Sequence, residues 1–418
     1  MEKINNSFLN RIASMQNALI CAIVFFLPLG RYMVPLLIIG FTVTWIAEGN
    51  FAQRLKALRG NYLAYVFMLY YILHVMGMLY SGNTSFGWLD LEMKLSFLLM
   101  PFLFVTIAPF SKEQLNKVFF YFILGNFAAV LLCLSDALYM YTATGEVSDF
   151  FYGSFSLFHH PTYFSMYLVF SIAILGICLI ENRSLFQKYD KIISILILSL
   201  FMGCTILLSA KSGLITLLIT LIILTIYYTI GKKNYLKGMA VTVAFTLGIG
   251  GLLSTSDVVK QRINNLITIW NIDSESLDKT NVESNTARLL VWPVAIEIIK
   301  ENWLIGTGTG DIKDVLVSKY KERGFEGIQN LRLNAHNQFL QSFAALGLLG
   351  GIALLVSLIW PLIISIRNKQ YVVSFFLLII FINALTESIL ETQAGIVFYA
   401  FFNSLLVFHV LKNPNLES

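Results

Sequence analysis

Around His336 the sequence reads Leu333-Asn334-Ala335-His336-Asn337-Gln338-Phe339-Leu340-Gln341, one imidazole at the mouth of a long apolar run with amides on either side. A neutral imidazole near pH 7 takes a proton from a hydroxyl, which makes His336 a candidate general base. The plainer reading is an interfacial histidine that only caps the helix it precedes. Glu387 and Glu391 end another apolar run four residues apart. On a helix that spacing puts both carboxylates on one face, either supporting His336 or forming a polar helix end. His159 and His160 open a further run before Pro161. Adjacent histidines do not share a helix face, so they are not expected to form a two-ligand metal site. The four cysteines, Cys21, Cys133, Cys178 and Cys204, sit inside apolar runs without metal-like spacing, and neither a zinc site nor a disulfide is expected. Gly306-Thr307-Gly308-Thr309-Gly310 lacks the preceding strand and following Lys-Ser/Thr of a nucleotide loop. It reads as a turn, with amides that at most approach a phosphate.

The elements that position these residues are membrane helices. Of 418 residues, 57% are hydrophobic and 13% charged, with a mean hydropathy of +0.73. Soluble domains carry about 25% charged residues, and a span takes about 20 apolar residues. The net charge of +5 does not indicate nucleic-acid binding, because the basic residues fall in short loops between apolar runs. Those runs cover 16–29, 33–47, 62–80, 94–109, 115–141, 156–180, 191–209, 212–230, 236–254, 338–366, 371–386 and 394–411. The fold class expected is therefore an all-α polytopic membrane protein of about twelve transmembrane helices. The first run lacks a small-residue cleavage site and reads as a retained helix. Basic clusters such as Arg54, Lys56 and Arg59, then Lys232, Lys233 and Lys237, recur on alternate loops and place both termini in the cytoplasm. The short loops of the far side hold only Arg31, Lys94 and Lys211 as cations.

One loop breaks the pattern. Residues 254–337 form a large, nearly neutral far-side segment, which divides the chain into a bundle of about nine helices (1–253), the loop (254–337) and the last helices (338–418). From Thr286, the residues Leu289, Val291, Trp292, Ala295, Ile296 and Ile299 give an amphipathic helical stripe, with Thr286 or Asn285 as N-cap. Asp311 to Arg323 reads as a second short helix. The loop is expected to lie on the membrane surface over a cavity. Lys211 stands between two apolar runs with almost no loop, so its ammonium is held at or below the interface. A charge there costs a few kcal/mol and tends to be functional; snorkelling to lipid phosphate is the alternative. Gly347, Gly350 and Gly351 are read as close-packing positions. No internal repeat is seen, which weakens a transporter reading.

The string Asn334-Ala335-His336-Asn337 through Leu340, with Gly347 and Gly350 downstream, resembles the signature of the O-antigen ligase/polymerase (Wzy_C-type) family of envelope glycan transferases. Arg288 followed by Trp292, then Asn302-Trp303-Leu304-Ile305-Gly306-Thr307-Gly308-Thr309-Gly310, is similar to that family's approach to the histidine helix, and the resemblance concentrates between Ser209 and Leu340. It implies a GT-C-like bundle in the bacterial inner membrane, with a large periplasmic loop and a periplasmic active site. The activity implied is inverting, metal-independent transfer of a glycan from undecaprenyl diphosphate to an acceptor hydroxyl, with no cofactor. The ligase reading is preferred, with the lipid A core sugar as acceptor. A polymerase using another carrier-linked repeat, and a protein O-glycosylating relative, share the same local signature. A lipid-linked glycan transporter is the reading from another class.

The resemblance implies His336 as the base and Arg288 as the guanidinium that holds the diphosphate. Lys211 is a second cation for the diphosphate; related sequences commonly carry arginine there, so the charge is kept and the bidentate fork is not. Arg262 resembles a further basic position. His160, Asn337, Glu387 and Glu391 are the expected lining of the sugar and acceptor cavity.

Overall fold

A computed structural model describes residues 2–30, 32–186, 190–232 and 284–411. The expected ninth span (236–254), the candidate Arg262, Arg31 and the start of the large loop lie outside the described residues. Among the described residues every element is helical. Lipid offers no partner for backbone N–H and C=O groups, so an apolar chain in a bilayer must satisfy them within its own helices.

In chain order the helices are α1 (Glu2–Phe26), α2 (Met33–Glu48), α3 (Phe51–Arg59), α4 (Tyr62–Met78), α5 (Thr84–Lys94), α6 (Ser96–Thr106) and α7 (Lys112–Thr144). There follow α8 (Pro161–Glu181), α9 (Asp190–Leu208), α10 (Lys211–Lys232), α11 (Ser284–Glu301), α12 (Ile312–Glu322), α13 (Gln338–Arg367), α14 (Tyr371–Thr386) and α15 (Gln393–Leu405). Each apolar run within the described residues contains a helix, and the loop stripe forms α11, starting at Ser284. Seven helices among the described residues are long and apolar enough to cross a membrane by themselves. Counting α2 with α3, bent by 112°, as one span gives eight. Helices α4 and α14 are apolar but shorter.

The core is built around α8, whose residues from Pro161 to Cys178 are all buried. Phe122 of α7, Tyr167 and Phe170 of α8, Phe376 of α14, and Phe398 and Phe402 of α15 form one aromatic cluster across four helices, with Phe122 and Phe402 ring centroids 4.8 Å apart. Tilted and edge-on rings at such distances add to the burial of their area.

Helix α13 is broken. Gly347 takes φ +63° and ψ −156° in its middle, a left-handed φ that favours glycine. The carbonyls of Ala344 and Ala345 instead accept hydrogen bonds from Thr307 N and Gly308 N, both at 2.9 Å, and Leu348 N donates to Trp303 O at 2.8 Å. The segment from Trp303 to Gly308 thus plugs the break and supplies the partners the helix lacks. A Cβ on Gly347 would lie 2.4 Å from Leu304 O, and one on Gly306 would lie 2.4 Å from Ala345 O. The amides of Thr307 and Gly308 are therefore committed to the carbonyls of α13.

Candidate functional site

The C-terminal end of α14 is the hub. Its last turn leaves carbonyls without helical partners, and side chains from two other elements supply donors. Asn337 Nδ2 donates to Leu385 O at 3.0 Å, and Arg288 Nε donates to Thr386 O at 2.9 Å. A guanidinium at a helix C-terminus also complements the helix dipole. The next residue, Glu387, turns to an extended backbone (φ −148°, ψ 146°), and its Oε1 lies 2.9 Å from His336 Nδ1. Its other oxygen is 3.8 Å from Arg288 Nη2.

His336 is presented by a tightly tied strip. It adopts φ +43°, unusual for a side chain larger than glycine, and its N–H donates to Asn334 Oδ1 at 3.0 Å. Ala335 N donates to Gln341 Oε1 at 3.1 Å. Asn337 Oδ1 caps α13, accepting from Phe339 N and Leu340 N at 2.9 and 3.1 Å. The amides around the histidine thus each hold backbone. Asn337, expected to line the sugar cavity, uses both ends of its side chain in capping α13 and binding α14.

Because a carboxylate only accepts, the close His336–Glu387 contact fixes the proton of a neutral imidazole on Nδ1 and leaves Nε2 with a lone pair. Burial pushes the Glu387 carboxyl up, but the His336 hydrogen bond and the charges of His336, Arg288 and His160 outweigh it and hold the group below the usual carboxylate range. His160 sits at the N-cap of α8, with Nε2 at 3.4 Å from Tyr152 Oη. Burial lowers its pKa, Glu387 opposes that, and His336 and Arg288 add to it. One imidazole, one carboxylate, one guanidinium and a second imidazole therefore share one field.

Lys211 is the first residue of α10, at the same end of the bundle. Two residues on, Gly213 packs against Ser165 of α8, and further along Thr216 Oγ1 accepts from Asn383 Nδ2 of α14 at 3.2 Å. Glu391 parts company with Glu387. The chain leaves the helix after Thr386, so the two carboxylates do not share a helix face as their spacing suggested. Glu391 lies in a short turn and points inward, to Lys94 Nζ at 3.1 Å and to Gln338 Nε2 at 3.3 Å.

Sequence reasoning missed that inner group. Lys94, expected in a short far-side loop, is the last residue of α5 and only 1% exposed, because its ammonium pairs with Asp90 as well as Glu391. His74 of α4 lies 3.4 Å from Asp90. The signals available were the four-residue spacing of Asp90 and Lys94 and a histidine inside an apolar run. Among the described residues no group of three or more His, Cys, Asp or Glu side chains is arranged to hold a metal ion.

Residues 195–355 match the Wzy_C family, described as O-Antigen ligase. The stretch from Ser209 to Leu340, where the sequence resemblance concentrates, lies inside the match, as do Arg288 and His336. No protein with a curated function matches the chain.

Proposed function

From the premise that residues 195–355 carry the O-antigen ligase region of a membrane glycan transferase, we propose that this chain transfers a glycan from undecaprenyl diphosphate to a hydroxyl of the lipid A core. The reaction runs on the periplasmic face, with inversion and without a metal ion. The observation that carries the reading is the His336–Glu387 pair at 2.9 Å with Arg288 beside it.

The acceptor O–H donates to Nε2 of His336 as its oxygen attacks the anomeric carbon. The proton passes to Nε2, the new C–O bond forms on the face opposite the diphosphate, and the bond from the anomeric carbon to the diphosphate oxygen breaks. Glu387 stabilises the imidazolium that results. Negative charge gathers on the leaving diphosphate, where fixed cations lower the barrier. Arg288 and Lys211 supply them, with Arg262 as a further cation of the same loop. The Arg288 fork is anchored on Thr386 through Nε, which orders the guanidinium. His160, at the N-cap of α8, and Tyr152, which contacts it, contribute to the sugar site.

Purified chain, a carrier-linked glycan and a lipid A core acceptor test the reading. Covalent product is expected, and relocation of the glycan without product overturns it in favour of transport. His336→Ala is expected to abolish transfer at unchanged protein level, since it removes a partly buried side chain and opens no core cavity. Wild-type glycan profiles in that variant would refute the role of His336 as base.

A further inference from the structure

The strips that carry the proposed base and its carboxylate meet twice. The first junction is His336 with Glu387. The second lies deeper, two residues beyond His336 and three to four beyond Glu387. There Leu390 N donates to Gln338 Oε1 at 2.7 Å, and Gln338 Nε2 donates to Glu391 Oε1 at 3.3 Å. Gln338 also reaches Ser342 at 3.2 Å, whose hydroxyl is 2.7 Å from Tyr70 Oη on α4. Lys94 belongs to neither strip. Its ammonium holds the free oxygen of Glu391 at 3.1 Å, while Asp90, one turn back on α5, binds it from the other side. Asp90 in turn faces His74, whose backbone carbonyl accepts from Thr309, the residue after the plug segment, at 2.7 Å.

A buried lysine between two carboxylates is a poor source of stability, since a well-packed apolar group in its place is often as good or better. Ionisable groups buried in a membrane bundle tend instead to serve function. Resting on the glycan-transfer reading, we infer that Lys94, braced by Asp90, is a positioning residue for the His336–Glu387 pair. It fixes Glu391, which together with Gln338 sets the spacing of the two strips and holds Glu387 where it meets the imidazole. A shift of about 1 Å in such a pair costs up to roughly a hundredfold in rate, so the clamp acts on kcat and leaves donor binding alone.

The test uses detergent-purified full-length chain, undecaprenyl-diphosphate-linked oligosaccharide and lipid A core, with kcat and donor KM measured separately. Lys94→Met and Glu391→Gln are each expected to lower kcat by about tenfold or more with KM within about twofold. The double variant should be no slower than Lys94→Met, because both changes break one link. Lys94→Arg, which keeps the cation, should recover most of the rate. If Lys94→Met fails to fold, the double variant, which removes the cation with one of its carboxylates, carries the test. Wild-type kcat in a folded Lys94→Met or double variant overturns the inference, as do single effects that multiply in the double. A wild-type chain that makes no product overturns the glycan-transfer reading and the inference with it. An active wild type with unaffected variants overturns the inference alone.

Discussion

At the scale of single residues, the proposed chemistry depends on how Glu387 holds His336. Glu387→Gln keeps the volume and removes the charge that meets Nδ1 of His336 and, in the proposed reaction, stabilises the imidazolium. We expect kcat to fall about a hundredfold, read in the same transfer assay. The same substitution has a pH signature. The folded-state pKa of Glu387 lies below its ordinary value of 4.5. The stability it contributes is complete above that value and is lost as pH falls through the lower folded value. Thermal melts in detergent should therefore show the wild type losing its advantage over Glu387→Gln as pH drops below 4.5. At the head of α10, Lys211→Arg is expected to retain activity if the position supplies charge to a diphosphate, since arginine keeps the charge and adds a fork. Complete loss in that variant would show that shape governs the position.

At the scale of elements, the break in α13 is the most exacting feature. Gly347→Ala forces a side chain into a left-handed φ and against Leu304 O. The cost expected is roughly 1–3 kcal/mol, visible as a lower melting temperature. The helices themselves were legible in the sequence because apolar run length is nearly all that a span requires, and the stripe from Leu289 to Ile299 marked α11 equally well. The break was not, because nothing near Gly347 distinguishes a packing glycine from one that opens a helix; the deciding partners lie some 40 residues back, at Trp303 to Gly308. Glu387 and Glu391 fail for a related reason. Their spacing has meaning only on a helix, and α14 ends at Thr386, before either residue. Lys94 was assigned to a loop because charge normally marks loops, and its two carboxylate partners include one 297 residues away.

At the scale of the whole molecule, the candidate site is an assembly of ends. His160 at the start of α8, Lys211 at the start of α10, Arg288 early in α11 and His336 before α13 all stand at one end of the bundle, near the close of α14. His336 was legible as a candidate base from its setting, and Arg288 as a candidate cation from the family resemblance. Their meeting at Glu387 was not, since it depends on three elements far apart in the chain. Loss of this gene in its own bacterium is expected to remove long-chain lipopolysaccharide while carrier-linked polymer accumulates, as seen by gel banding. Single-repeat caps would instead indicate a polymerase. The plugged helix also gives the molecule a direction of assembly. Residues 303–308 leave the ribosome before Gly347 does, so the missing half of the backbone ladder is already waiting when α13 enters the bilayer. A permuted chain that synthesises α13 first would deliver a helix with bare carbonyls into hydrocarbon, and should insert poorly even though every residue is retained.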